Sequence, residues 1–250
     1  WICTGLTVMM ALAAWFAGRR VQLPVAAQKA MPDDAKPPGN PATEGARLVF
    51  SSRYLLSIVA IVGLYEVIST ILDFQFTYTV SHFLDGPDIG RHFAFVYSIT
   101  NWVSLLVQLF LTGYVMSRFG LAVALLVLPA TVALGSTSFL LFPVLWAGSL
   151  LNTADNGFSY SINQSAKEAL YVPTSAAEKY RAKAFIDMFV QRFAKAVAVL
   201  ISLGITFAFK DFSSLRYLSL VTLALLVIWI MAARYAGRQF RALEQAGEAK

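Results

Sequence analysis

"FIDMFVQRFAKAVAVLISLGITFAF", residues 185 to 209, is long and apolar enough to cross a bilayer, yet its first half carries Asp187, Arg192 and Lys195. A hydrocarbon core about 30 Å thick takes about 20 apolar residues as helix. Only helices or closed barrels satisfy their backbone in lipid, and this run has no period-2 alternation. An ionised group at the centre of such a helix costs about 2.5–3.5 kcal/mol on insertion scales, so by default it marks a functional site. What these charges do governs how the whole chain is read.

The rest of the sequence repeats the apolar pattern. Of the 250 residues 58% are hydrophobic and only 14% are charged, and the mean hydropathy is +0.63. A soluble domain holds about 25% charged residues, so the polar surface here is too small to cover a water-soluble body. Apolar segments of spanning character fall at roughly 1–17, 54–80, 93–117, 121–142, 144–166, 184–209 and 215–233. Trp1 begins inside such a run, without a charged n-region or cleavage site. The expectation is an all-α polytopic membrane protein: the end of one spanning helix (1–17), a linker loop (18–53), a six-helix half-domain (54–236) and a tail (237–250). "MPDDAKPPGNPATEG", inside the linker, is mobile by composition.

Several function classes drop out. The one cysteine, Cys3, allows no intrachain disulfide and no cysteine-rich metal site. His82 and His92 fall in the short polar stretch "SHFLDGPDIGRH" and read as solvated loop residues rather than metal ligands. No phosphate loop of the Gly-rich, Lys-Ser/Thr type and no nucleophile elbow occurs, which argues against an enzyme. No cofactor or metal is expected.

The net charge of +6 is a topology signal rather than a nucleic-acid footprint. Arg19, Arg20, Lys29, Lys36, Arg47 and Arg53 flank or fill the long loop, and Arg118 follows the third segment. Lys167, Lys179, Arg181 and Lys183 separate the fifth and sixth, and Arg234, Arg238, Arg241 and Lys250 close the chain. The alternate loops hold only Arg91, Lys210 and Arg216, so the asymmetry is fifteen against three. By the positive-inside rule, 18–53, 167–183 and the C-terminus are expected in the cytoplasm, with 82–92 and 210–214 outside. The membrane expected is the bacterial inner membrane. A long cytoplasmic loop followed by six tightly joined helices has the layout of the second half of a major facilitator, whose other half would be a necessary partner.

Polar residues inside the segments fall on helical faces. Asn152, Asn156, Ser159, Asn163 and Lys167 recur at steps of three and four, with Asp155 beside them. Asp187, Gln191 and Lys195 recur at steps of four, with Arg192 adjacent. Glu66, Asp73 and Thr77 share a third face, with Ser69 or Thr70 between, and Asn101, Gln108 and Thr112 a fourth. Lipid cannot satisfy such stripes, so they are expected to face one another or water. At about 1.5 Å rise per residue, Lys195 lies about 18 Å beyond Lys183, too deep to snorkel. Arg192, Glu66 and Asp155 reach comparable depth. These charges either neutralise one another as buried pairs or serve a substrate path. In the second case Arg192, Lys195, Asn152, Asn156 and Gln191 would bind an anionic solute. Glu66, Asp155, Asp73 and Asp187 would then gate the path or carry a coupling proton.

"KEALYVP" at 167–173 and "EKYRAKAFIDMFVQRFAK" at 178–195 resemble the non-mitochondrial ATP/ADP translocase family. Its pattern runs Lys-Glu-x-Leu-Tyr-x-Pro, then Lys-x-Lys-x-x-Ile-Asp, then Arg-x-Gly-Lys. Here those positions are Lys167, Glu168, Leu170, Tyr171 and Pro173, then Arg181, Lys183, Ile186 and Asp187, then Arg192 and Lys195. "DFQFTYTV" at 73–80 is similar to the segment that ends the first helix of this half, with Thr77 where the family often has Lys; Arg181 and Ala194 are further departures. The resemblance implies an alternating-access antiporter of an anionic solute, a nucleotide or other phosphorylated compound. Two other readings stay open: a proton-coupled carrier of another small solute, and a non-transporting membrane sensor or scaffold.

Overall fold

The computed structural model describes residues 8–10, 12, 15–16, 41–174, 176–209, 211–212 and 215–248. The chain divides into two compact units, Trp1–Gly39 and Asn40–Lys250. In the first, residues 8–10, 12, 15 and 16 are helical, and the rings of Trp15 and Phe16 meet edge-on at 6.2 Å. The remainder of the expected first segment, the linker up to residue 40, Cys3 and Lys210 lie outside the described residues.

Every regular element among the described residues of the second unit is helical. In chain order they are α1 (Pro41–Ser51), α2 (Arg53–Phe83), α3 (Pro87–Phe119), α4 (Leu121–Leu141), α5 (145–169), α6 (176–208) and α7 (Leu215–Glu248). Five of them, α2, α3, α4, α6 and α7, are long and apolar enough to cross a membrane. The sixth expected span, α5, forms as one continuous helix but is not among these, because Asn152, Asp155, Asn156 and Asn163 lower its hydropathy.

Local sequence sets the ends. Ser52 caps α2, its Oγ accepting from Leu55 N at 3.4 Å. Gly86 takes φ +52° and Pro87 opens α3. Gly120, at φ +76°, makes the "SRFG" turn, with its N–H on the Met116 carbonyl at 3.1 Å. The polar stretch 81–92 is therefore mostly helix, and both histidines have partners. His82 stacks on Phe212 at 4.0 Å, and His92 Nε2 bonds Ser149 Oγ at 2.8 Å. Both lie in helix ends rather than in a loop, His82 exposed and His92 half-buried.

Two boundaries also differ. Pro41–Ser51 is a helix inside the stretch read as linker: Pro41 presets the first turn and Glu44 lies in it. Glu44 accepts an ion pair from Arg181 at 2.7 Å, and a methyl group on Gly45 would meet the Arg181 carbonyl at 2.6 Å, so α1 sits tight on α6. The stretch from 237, expected as a tail, continues α7 to Glu248.

α2 is the centre of the unit: 61% of its apolar window is buried, against 17% for α3 and α6. It packs on α5, α6 and α7. Ile58, Ile61, Ile68, Ile71 and Leu72 fill the core, with the Trp229 ring of α7 5.9 Å from Tyr65. Gln75 Nε2 ties α2 to α7 through the Leu215 carbonyl at 2.8 Å and Ser219 Oγ at 3.0 Å. Three helices contain a wider π-helical turn: α3 at Val107–Thr112, α5 at Ser159–Asn163 and α6 at Ile186–Val190. The first two of these turns pack against each other.

Candidate functional site

The polar stripe of α5 divides at its π-helical turn. On the N-terminal side Asn152 and Asp155 are buried against α2, with 1% and 0% of their surface exposed. Ser69 Oγ donates to Asp155 Oδ2 at 2.6 Å, and Asn152 Nδ2 donates to Asp73 Oδ1 at 2.8 Å. Asn156 folds back on its own helix, its Nδ2 reaching the Asn152 carbonyl at 3.1 Å. Asp73 is exposed on the open side of α2.

Beyond the turn the same helix lines a cavity of about 410 Å³. Tyr65 and Glu66 of α2 form one wall, Gln164, Lys167 and Glu168 of α5 another, and Lys183, Asp187 and Gln191 of α6 the third. Lys167 Nζ stands 4.8 Å above the Tyr65 ring, within cation–π range. Lys183 Nζ holds both Glu168 carboxylate oxygens at 2.7 Å and lies 5.9 Å from the Tyr171 ring. Burial pushes the Tyr171 phenol above its ordinary range, so its O–H stays a donor at neutral pH. Gln191 Nε2 donates to Asp187 Oδ1 at 3.0 Å. The lining thus sets two ammonium groups and the rings of Tyr65 and Tyr171 against the carboxylates of Glu66, Glu168 and Asp187 around one concave space.

The residues picked from sequence are thus spread over three places. Glu66, Asp187 and Gln191 line the cavity. Asn152, Asp155, Asp73 and Asn156 form or adjoin the buried cluster. Lys195 and Arg192 lie on the exposed face of α6. Lys195 Nζ pairs with Glu66 Oε2 at 3.5 Å, its side chain 59% exposed against 11% for Glu66. Of the four deep charges, Glu66 and Lys195 form an ion pair, and Asp155 and Arg192 form none among the described residues.

The cations of the cavity are Lys167 and Lys183, which sequence reasoning quoted as motif residues without placing them in a site. Their signal was present: both sit in the motif block that carries the resemblance. Of the fourth stripe, Asn101 and Gln108 are exposed, and the Thr112 hydroxyl bonds its own helix at the Val107 carbonyl, 3.1 Å away. The α3–α5 contact uses Thr100 and Thr153 instead, 3.2 Å apart. Thr77 is likewise exposed.

Comparison with known proteins follows the same motif. Residues 141–240 match the model of a family described as TLC ATP/ADP transporter. The chain is 25% identical over 215 residues to ADP,ATP carrier protein 2 of Chlamydia pneumoniae, covering 77% of the chain and 40% of that protein. Against ADP,ATP carrier protein 1 of Chlamydia muridarum the identity is 26%, over 82% of the chain and 43% of the relative. The chloroplastic ADP,ATP carrier protein 1 of Arabidopsis thaliana is 22% identical over 99% of the chain and 42% of its own length. The chain therefore spans about two fifths of the length of the curated relatives it matches. No solved structure matches it. The resemblance read from residues 167–195 is borne out.

Proposed function

We propose, on the premise of that similarity, that the chain forms one half-domain of a longer carrier exchanging ATP and ADP across a membrane. The cavity between α2, α5 and α6 is its share of the substrate path. The observation that carries the reading is the placement of Lys167 and Lys183, both in the motif block, on opposite walls of that cavity beside Tyr65 and Tyr171. Ammonium groups answer phosphate charge, and tyrosine faces answer the purine ring. The cavity volume falls in the range of about 300–1,000 Å³ usual for small-molecule sites.

The layout fits the second half of a major facilitator, in which two six-helix halves rock around a shared site. In this arrangement the exposed face bearing Asp73, Tyr160, Arg192 and Lys195 turns towards the other half. Those side chains are then paired or wetted rather than left in lipid. The Glu66–Lys195 pair closes the path above the cavity, and the positive-inside pattern puts residues 167–183 in the cytoplasm.

The test is counter-exchange. The full-length carrier in liposomes preloaded with ADP should take up labelled ATP, and empty liposomes should not. Lys167→Gln should weaken ATP binding by about 1.5–3 kcal/mol, the range for a hydrogen bond to a charged group, or roughly ten- to hundredfold in Kd. Uptake that ignores internal ADP would end the antiporter reading, and unchanged affinity in Lys167→Gln would take the cavity out of it.

A further inference from the structure

Asp155 and Asn152 leave an oxygen-to-oxygen problem in the middle of the bundle. Asp155 Oδ1 and Asn152 Oδ1 are both buried, and neither has a hydrogen-bond partner. The residues lie one turn apart on one face of α5. The Asn152 amide is not free to flip, because its Nδ2 is committed to Asp73 Oδ1. The Asp155 carboxyl is anchored by Ser69 through its other oxygen. Two buried acceptors left without a donor are costly, and a lone buried carboxylate charge costs more.

The surroundings offer no cation. From α2 the groups facing Asp155 are Glu66, Asp73 and the Tyr65 phenol, and the two carboxylates add to the local negative charge. Lys195 of α6 is engaged with Glu66. From α3, His92 is engaged with Ser149, while Tyr97 faces Asp73 and Tyr160. Helix α4 has no ionisable residue between Leu121 and Leu141. On α5 itself Lys167 lies three turns away, over Tyr65. Hard divalent cations take about six to eight oxygen ligands, and two leftover oxygens are too few.

We infer that Asp155 holds a proton on Oδ1 and donates it to Asn152 Oδ1, which makes this cluster a buried proton-binding site. One proton satisfies both orphaned oxygens and removes the unpaired charge. It comes from bulk water and returns there, with no other bond made or broken. The inference stands on α2 and α5 alone, whatever solute the cavity takes. A carrier with such a site has a proton to gain or lose as its halves move.

Infrared spectroscopy of the full-length carrier in liposomes reads this site directly. At neutral pH the wild type should show the carbonyl stretch of a protonated carboxylic acid, shifted in deuterated water and absent in Asp155→Asn. Asn152→Leu keeps the acid but removes its acceptor, so the band should persist and move to higher frequency. That variant keeps the test open if Asp155→Asn fails to fold. The melting temperature should fall as pH rises above the ordinary carboxylate range and level off once the folded protein gives up the proton, and Asp155→Asn should flatten that fall. A wild type with no such band, or one whose band survives Asp155→Asn, would overturn the assignment. So would sodium replacing choline at fixed pH and raising the melting temperature of the wild type but not of Asp155→Asn, since a metal ion would then occupy the site.

Discussion

The buried cluster and the open cavity are built from the same two helices and the same polar stripe, yet they differ in every physical respect. Around Asp155, α5 is pressed on α2 and the polar groups are buried, two of their oxygens without a hydrogen-bond partner. Around Lys167, twelve residues further on, α6 closes a third wall and leaves a space of about 410 Å³. Between them stands the π-helical turn Ser159–Asn163. Such a turn admits an extra residue and is frequent at functional sites. It resets the phase of the helix, so that Gln164, Lys167 and Glu168 line the cavity while Asn163 is buried off it. The difference teaches that a polar stripe in a membrane-type helix is no single surface. Its environment is set turn by turn by what packs against it.

The largest expected effect comes from removing that turn. With Tyr160→Ala, which keeps the turn and loses the side chain, as its control, deleting Tyr160, an exposed residue of the cavity lining, should restore ordinary α-helical phase. Everything beyond it then rotates by about 100°, one residue of helix. Lys167 and Glu168 leave the cavity, so nucleotide exchange should fall to background. The Asp155 side lies before the deletion and should keep its carboxylic-acid band. Exchange that survives the deletion would mean the turn does not separate the two regions.

A smaller effect should come from the buried side. Ser69→Ala takes the donor from Asp155 Oδ2 and leaves a buried oxygen unsatisfied. The cost in unfolding free energy should be about 1–3 kcal/mol. In an Asp155→Leu background the same substitution should cost little, because the group it served is gone. That cycle isolates the pair, and equal losses in both backgrounds would show that Ser69 acts through packing alone.

Much of this arrangement was legible in the sequence. Helices form over the six segments between 54 and 233 because apolar length and short Gly- and Pro-marked turns dictate them. The motif block at 167–195 pointed to the family that the comparisons then matched. What could not be read was the phase of each helix after a π-helical turn, which no residue pattern announces. Asp187, Gln191 and Lys195, evenly spaced on paper, also take different partners. Gln191 turns back to Asp187 in the cavity, while Lys195 reaches Glu66 on the exposed face. Exposure of Asn101 and Gln108 was equally hidden, since a period identifies a face but not its neighbour. Lys167 and Lys183, which border the cavity, lie at the ends of their helices rather than among the deepest charges.

The smallest effect sharpens the comparison from the cavity side. Lys183 holds Glu168 at 2.7 Å, but the side chains are 33% and 44% exposed. Ion pairs as wet as this contribute about 0–1 kcal/mol, and salt screens them. Glu168→Gln should therefore lower unfolding free energy by no more than about 1 kcal/mol, less in high salt, in contrast to the loss expected from Ser69→Ala. Its effect on ligand should have the opposite sign. Glu168 occupies the ammonium that a phosphate would use, so neutralising it frees Lys183 and should leave ATP affinity equal to or tighter than wild type. Lys183→Gln removes the ammonium itself and should weaken ATP binding while barely moving the melting temperature. Melting curves and ATP titrations on both variants separate the outcomes. If Glu168→Gln unfolds the carrier as readily as a defect in the buried cluster, the pair is structural, and the cavity would be no wetter in its energetics than the region around Asp155.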